Sequence, residues 1–155
     1  MRLNWRWILP VFWMILIFYF SAQNGVESSD ISLRAGRWIG SMVYSDFKEW
    51  TDEEQLIFAK RIEVVVRKGA HATEYAVLAF LILLAMGRKK WAVSFAITTL
   101  YAVSDEIHQL FIPGREGKVM DVLIDSMGAI AGVGLYLIFI YVIHHIKKEP
   151  AMTDS

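Results

Sequence analysis

The sequence predicts an all-α integral membrane protein: a four-helix bundle with amphipathic interfacial helices in its first extracytoplasmic segment. Three observations predict it. The 155 residues are 55% hydrophobic and mean hydropathy is +0.39, more apolar than a soluble domain usually is. The apolar residues gather in four runs of 14 to 22 residues, against the ~20 that cross a ~30 Å hydrocarbon core. Six Trp and six Tyr fall mostly near the ends of those runs, as aromatic belts do at a membrane–water boundary.

The first run, 7–20, follows a basic start at Arg2 and Arg6. Cleavage after Ala22 would put bulky Phe20 where a signal peptidase wants a small residue, so the run reads as an uncleaved anchor. Pro10 lies in its first turns, where a missing N–H is tolerated. The second run, 69–86, is broken early by His71 and Glu74. The third, 91–112, is apolar to Val103 and polar after it. The fourth, 122–143, is apolar apart from Asp125.

Between the first two runs lies a longer polar segment. Ala35, Trp38, Ile39, Met42 and Val43 recur at three- and four-residue steps, the mark of an amphipathic helix. Thr51 followed by Glu54 reads as a capping box opening a second helix that runs to about Val66. Both helices are expected to lie on the outer leaflet or roof the bundle.

Short-loop charge sets the direction. Arg88, Lys89 and Lys90 join runs two and three, Lys147 and Lys148 follow run four, and Arg2 and Arg6 precede run one. Four spans put all three groups on one side. The positive-inside rule then places both termini in the cytoplasm of a bacterial multi-pass membrane protein. Residues 1–148 read as one transmembrane domain and 149–155 as a polar, disordered cytoplasmic tail. No repeat is present. The chain lacks cysteine, which excludes disulfides, thiol catalysis and cysteine-ligated metal. Zero net charge gives no field that favours nucleic acid.

Ionisable groups inside these runs carry the functional question, because they are expensive in hydrocarbon. At ~1.5 Å per residue, Asp105 lies roughly 21 Å, His71 roughly 22 Å and Asp125 roughly 27 Å from the inner end of their runs. Three separate runs thus put charge in one leaflet. Lys68, His71 and Glu74 or Tyr75 share one helix side. Tyr101, Asp105, His108 and Gln109 form a second stripe, and Asp121 and Asp125 stand one turn apart on the last run. Gly128, Ala129, Ala131, Gly132 and Gly134 follow them and let another backbone come close, which makes the last helix the expected centre of the bundle. That small-residue face could instead serve a homodimer. The expected result is an outward-facing polar pocket.

Three readings of that pocket differ in chemistry. As an enzyme, a membrane-embedded hydrolase or transferase, it would use His71 or His108 as general acid or base, oriented by Asp105 or Glu106, with Asp125 nearby. Arg115, after the Pro113-Gly114 turn, and Lys68 would clamp an anionic headgroup. As a binding or passage site, the same groups would hold a membrane lipid or lipid-linked envelope precursor by charge-assisted hydrogen bonds. As staples, Asp105 and Asp125 would only pair with Lys68 or Arg115. A divalent metal, zinc or manganese, would take ligands from Asp105, His108, His71 and Asp121 or Asp125, but the spacing D-E-x-x-H matches no standard zinc motif.

The stretches FSAQNG, RKGAHATEYAVL, SDEIHQLFIPGREG and DVLIDSMGAIAG carry nearly all these polar residues. In them the chain resembles the VanZ-like family of bacterial membrane proteins. The resemblance covers about half the chain, in order. It implies a multi-span cell-envelope protein, in a family whose named member is associated with low-level resistance to the glycopeptide antibiotic teicoplanin. It implies functional positions at Ser21, Gln23, Lys68, His71, Asp105, Glu106, His108, Gln109, Arg115, Asp121 and Asp125; Tyr75 joins them from the helix stripe alone.

Overall fold

The computed structural model describes residues 5–148. The basic start at Arg2 and the tail 149–155 lie outside the described residues. Five α-helices follow one another: α1 Ile8–Ser21, α2 Gly25–Val43, α3 Asp52–Met86, α4 Trp91–Gln109 and α5 Val119–Lys148. Short 3-10 turns at Trp5–Trp7, Phe47–Glu49 and Arg88–Lys90 complete the order, and no strand occurs among the described residues.

The capping box forms as expected. Thr51 accepts from the Glu54 amide, and the Glu54 carboxylate accepts from the Thr51 amide at 2.8 Å. The helix it opens does not stop near Val66, however. It continues through Gly69 to Met86, joining what the sequence divided into an outer helix and a span. A lone glycine weakens a helix by only ~1 kcal/mol, and no proline interrupts the ladder. Thirty-five residues rise ~52 Å, well beyond a ~30 Å hydrocarbon core.

α3 is also the centre of the fold. It packs against all four other helices, with its longest seam along α5, which corrects the expectation that the last helix is central. The small residues of α5 do work as expected. Helices α3 and α5 run in parallel and in step, Gly128 against the Ala72 carbonyl, Gly132 against the Ala76 carbonyl, and Tyr136 edge-on to Phe80 at 5.6 Å. A Cβ on either glycine would strike backbone, so this face is filled by α3.

Two apolar clusters flank α3. Ile17, Tyr75, Leu78, Ile82 and Ala102 join α1, α3 and α4. Ala79, Leu83, Ala129, Val133 and Tyr136 join α3 to α5. Outside them the bundle wears a coat of exposed apolar side chains, among them Phe12, Ile15, Ile130, Leu135 and Ile138, the surface that lipid rather than water suits.

By length and apolarity, α3 and α5 can cross a membrane. A third span arises if α1 and α2, bent by 105° at their junction, count as one. α4 lacks the apolarity, because Ser94, Thr98, Thr99, Ser104, Asp105, Glu106, His108 and Gln109 share its 19 residues. α2 turns its small stripe Ser28, Ser32, Gly36 and Gly40 inward, with Gly36 over Ala59 of α3. Of the stripe read as its apolar face, Trp38, Met42 and Val43 are exposed, while Ala35 and Ile39 are half-buried.

Candidate functional site

The site forms where the α1–α2 corner, the middle of α3, the end of α4 and the start of α5 meet. The corner is tied to the α4–α5 loop through backbone. Gly114, at φ 74°, turns the loop after Pro113, and the Gly25 amide donates to the Pro113 carbonyl at 3.1 Å. Arg115 then reaches back across the corner. Its Nε donates to the Gln23 carbonyl at 2.9 Å and its Nη2 to the Phe20 carbonyl at 3.1 Å. The arginine expected to clamp a phosphate thus spends two of its donors on the α1–α2 corner. Burial pulls its guanidinium below its usual pKa and nearby Arg67 adds to that, while Asp105 and Glu106 pull the other way. The group stays charged.

Beneath this tie lies a cleft of about 410 Å³. Arg67, Lys68, His71 and Val64 of α3 form one wall, Glu106 and Gln109 of α4 another, and Asp121, Ile124 and Asp125 of α5 a third. Gly114, Arg115, Glu116 and Lys118 complete it from the loop. Lys68 Nζ pairs with Asp121 Oδ1. The expected pairs of Lys68 or Arg115 with Asp105 or Asp125 do not form. Lys118 donates its backbone N–H to Glu106 at 2.8 Å, and its ammonium meets Glu116 at 2.8 Å. That exposed pairing holds the Glu116 carboxyl below its usual range and Lys118 above its own.

Of the residues expected to carry chemistry, the cleft gathers His71, Glu106 and Asp125, with Lys68, Gln109, Arg115 and Asp121 beside them. Asp125 is 1% exposed, and neither of its oxygens has a partner among the described residues. His71 Nδ1 faces Glu74 at 3.8 Å. Asp105 lies behind the cleft, where its Oδ2 accepts from Gln109 Nε2 at 3.1 Å and its Oδ1 is buried without a partner. Tyr75 is fully buried with an unpartnered hydroxyl, its ring 6.3 Å from that of Tyr101.

The others stand apart from the cleft. His108 stacks on Phe18 of α1 at 4.6 Å. Ser21 is buried at the end of α1, and Gln23 contributes its carbonyl to Arg115 while its side chain borders a shallow groove with Glu27 and Arg34. Among the described residues no three His, Asp or Glu side chains converge as metal ligands, so Asp105, His108, Asp121 and Asp125 do not form the set that the metal reading requires. Sequence reasoning passed over Arg67, Glu116 and Lys118. Arg67 was recoverable, since it stands one helical turn before His71 on the same face.

The order of FSAQNG, RKGAHATEYAVL, SDEIHQLFIPGREG and DVLIDSMGAIAG along the chain thus becomes convergence in space. Neither a curated protein nor a solved structure matches the chain. A family model described as VanZ/LLP1 matches residues 6–140, nearly the whole described bundle and every wall of the cleft. The chain belongs to the VanZ-like family.

Proposed function

We propose that this VanZ-like chain is a multi-pass protein of the bacterial cytoplasmic membrane, with both termini cytoplasmic. In this reading α1, α3, α4 and α5 form a four-helix membrane bundle, and the cleft opens toward the outer leaflet. Chain direction supports it. Trp7 and Met86 pack against the same buried cluster, the Trp5–Trp7 turn touches α3, and Trp13 donates to the Glu74 carbonyl further back along α3. The basic Arg88–Lys90 turn is therefore read as sharing one end of the bundle with the start of α1, and the cleft as lying toward the other.

The cleft binds the headgroup of an amphiphilic envelope ligand, a membrane lipid or a lipid-linked precursor, through an anionic group. One observation carries this: a cavity of about 410 Å³ whose lining sets Arg67, Lys68, Arg115 and Lys118 beside Glu106, Glu116, Asp121 and Asp125, on a protein coated with exposed apolar side chains. In this reading the acyl chains lie along the exposed apolar coat while the cleft takes the polar end. Holding or sequestering such a ligand is the route by which the chain would alter glycopeptide susceptibility, teicoplanin included. Binding is favoured over bond-making because His108, one of the two candidate acid–bases, and Asp105, one of the two groups expected to orient them, do not line the cleft.

The test is lipid retention. The full chain purified in mild detergent should carry phosphate-bearing lipid detectable by native mass spectrometry, and Arg67→Gln with Lys118→Gln should lose most of it. A wild-type chain that carries no lipid, or a double variant that carries as much, contradicts the reading.

A further inference from the structure

The cleft holds unsatisfied groups of opposite kind at two levels. At the outer level Arg67 Nε is a buried donor without a partner, its Nη2 already committed to Glu63. At the inner level both Asp125 oxygens are buried acceptors without a partner, on a residue 1% exposed. The two levels are tied in register. Lys68, next to Arg67 in the chain, is bonded to Asp121, and Asp121 lies one turn from Asp125 on α5, ~6 Å along the axis.

The inner level is also acidic. Among the described residues no Lys or Arg stands within salt-bridge distance of Asp105, Glu106 or Asp125. Buried carboxylates without a counter-charge are costly, and a cation that donates hydrogen bonds to them relieves that cost. A neutral hydroxyl supplies the hydrogen bond without the charge. A quaternary ammonium supplies the charge without the N–H, and the cleft has no Phe, Tyr or Trp to box it.

We propose that the cleft recognises a zwitterionic headgroup, a phosphate joined by a short spacer to a primary ammonium. Its ammonium sits on Asp125 and its phosphate on Arg67. The proposal rests on the headgroup-binding reading above and narrows it from anionic amphiphiles in general to phosphoethanolamine chemistry. Arg67 and Asp125 line the same cleft, so a short spacer is what joins a phosphate on one to an ammonium on the other. The source is either a phosphatidylethanolamine of the leaflet or a soluble phosphoethanolamine.

The experiment offers the full chain in detergent equal amounts of phosphatidylethanolamine, phosphatidylcholine and phosphatidylglycerol and counts bound lipid by native mass spectrometry. The expected result is a preference for phosphatidylethanolamine of about tenfold. N-acetylation of that lipid, which removes the ammonium and leaves the protein untouched, should abolish the preference. Asp125→Asn should abolish it too. Binding of free phosphoethanolamine but not the lipid supports the same chemistry from the soluble source. Equal binding of the three lipids, or a preference for phosphatidylglycerol, overturns the proposal and leaves the broader reading standing. Inorganic phosphate competing as well as phosphoethanolamine also overturns it. Retention of no lipid and no phosphoethanolamine overturns both.

Discussion

Arg115 Nε donates to the Gln23 carbonyl at 2.9 Å, joining residues 92 positions apart in the chain. With the Nη2 bond to Phe20, one planar fork holds the α1–α2 corner over the cleft. Lysine keeps the charge but presents a single point donor and cannot span both carbonyls. Arg115→Lys should therefore destabilise the purified protein by ~1–2 kcal/mol, the scale of a charge-assisted hydrogen bond. Thermal unfolding in detergent checks this, and an unchanged midpoint would remove the fork from the account.

The seam between α3 and α5 makes a prediction with its own control. A Cβ at Gly132 would strike the Ala76 carbonyl, whereas a Cβ at Gly134 meets nothing within 4 Å. Gly132→Ala should cost ~1–3 kcal/mol as the helices are forced apart. Gly134→Ala should be neutral or stabilise by up to ~1 kcal/mol, because alanine is the better helix former. Equal melting points for the two variants would contradict the packing described.

Lys68 and Asp121 form a half-buried ion pair, with side chains 34% and 28% exposed. Lys68→Met and Asp121→Asn should each destabilise the protein, and the double variant should lose less than the two combined. The coupling expected from a double-mutant cycle is ~1 kcal/mol. Zero coupling would mean the pair contributes nothing to holding α5 beside α3.

The two candidate histidines should separate cleanly. His71 lines the cleft, while His108 lies against Phe18. His71→Gln should weaken lipid retention by about tenfold, and His108→Gln should leave it unchanged while lowering thermal stability. Loss of retention in His108→Gln alone would shift the site toward α1.

Much of this arrangement was legible in the sequence where local physics dominates. The Thr51–Glu54 box fixes a helix start through its own side chains, and it forms as read. Gly128 and Gly132, one turn apart, announce a close approach, and α3 supplies it. Of the three charges whose depth the sequence marks, His71 and Asp125 line a single cleft, while Asp105 lies behind it and its neighbour Glu106 lines it instead. What stayed hidden depends on partners without a side-chain signature. Arg115 binds two carbonyls, and every residue carries one. Lys68 chooses Asp121 over Asp105 or Asp125 through the stagger of α3 against α5, which no spacing within either helix encodes. The unbroken run of α3 past Gly69 follows from packing on α2 and α5, which outweighs a small local preference.

The most direct measurement is an experimental density map of the full chain in a lipid nanodisc containing phosphatidylethanolamine. The account predicts headgroup density inside the cleft, in contact with Arg67 and Asp125, continuous with an acyl chain along the bundle surface. A cleft holding ordered water alone, with lipid confined to the outer faces of α1 and α5, would contradict it.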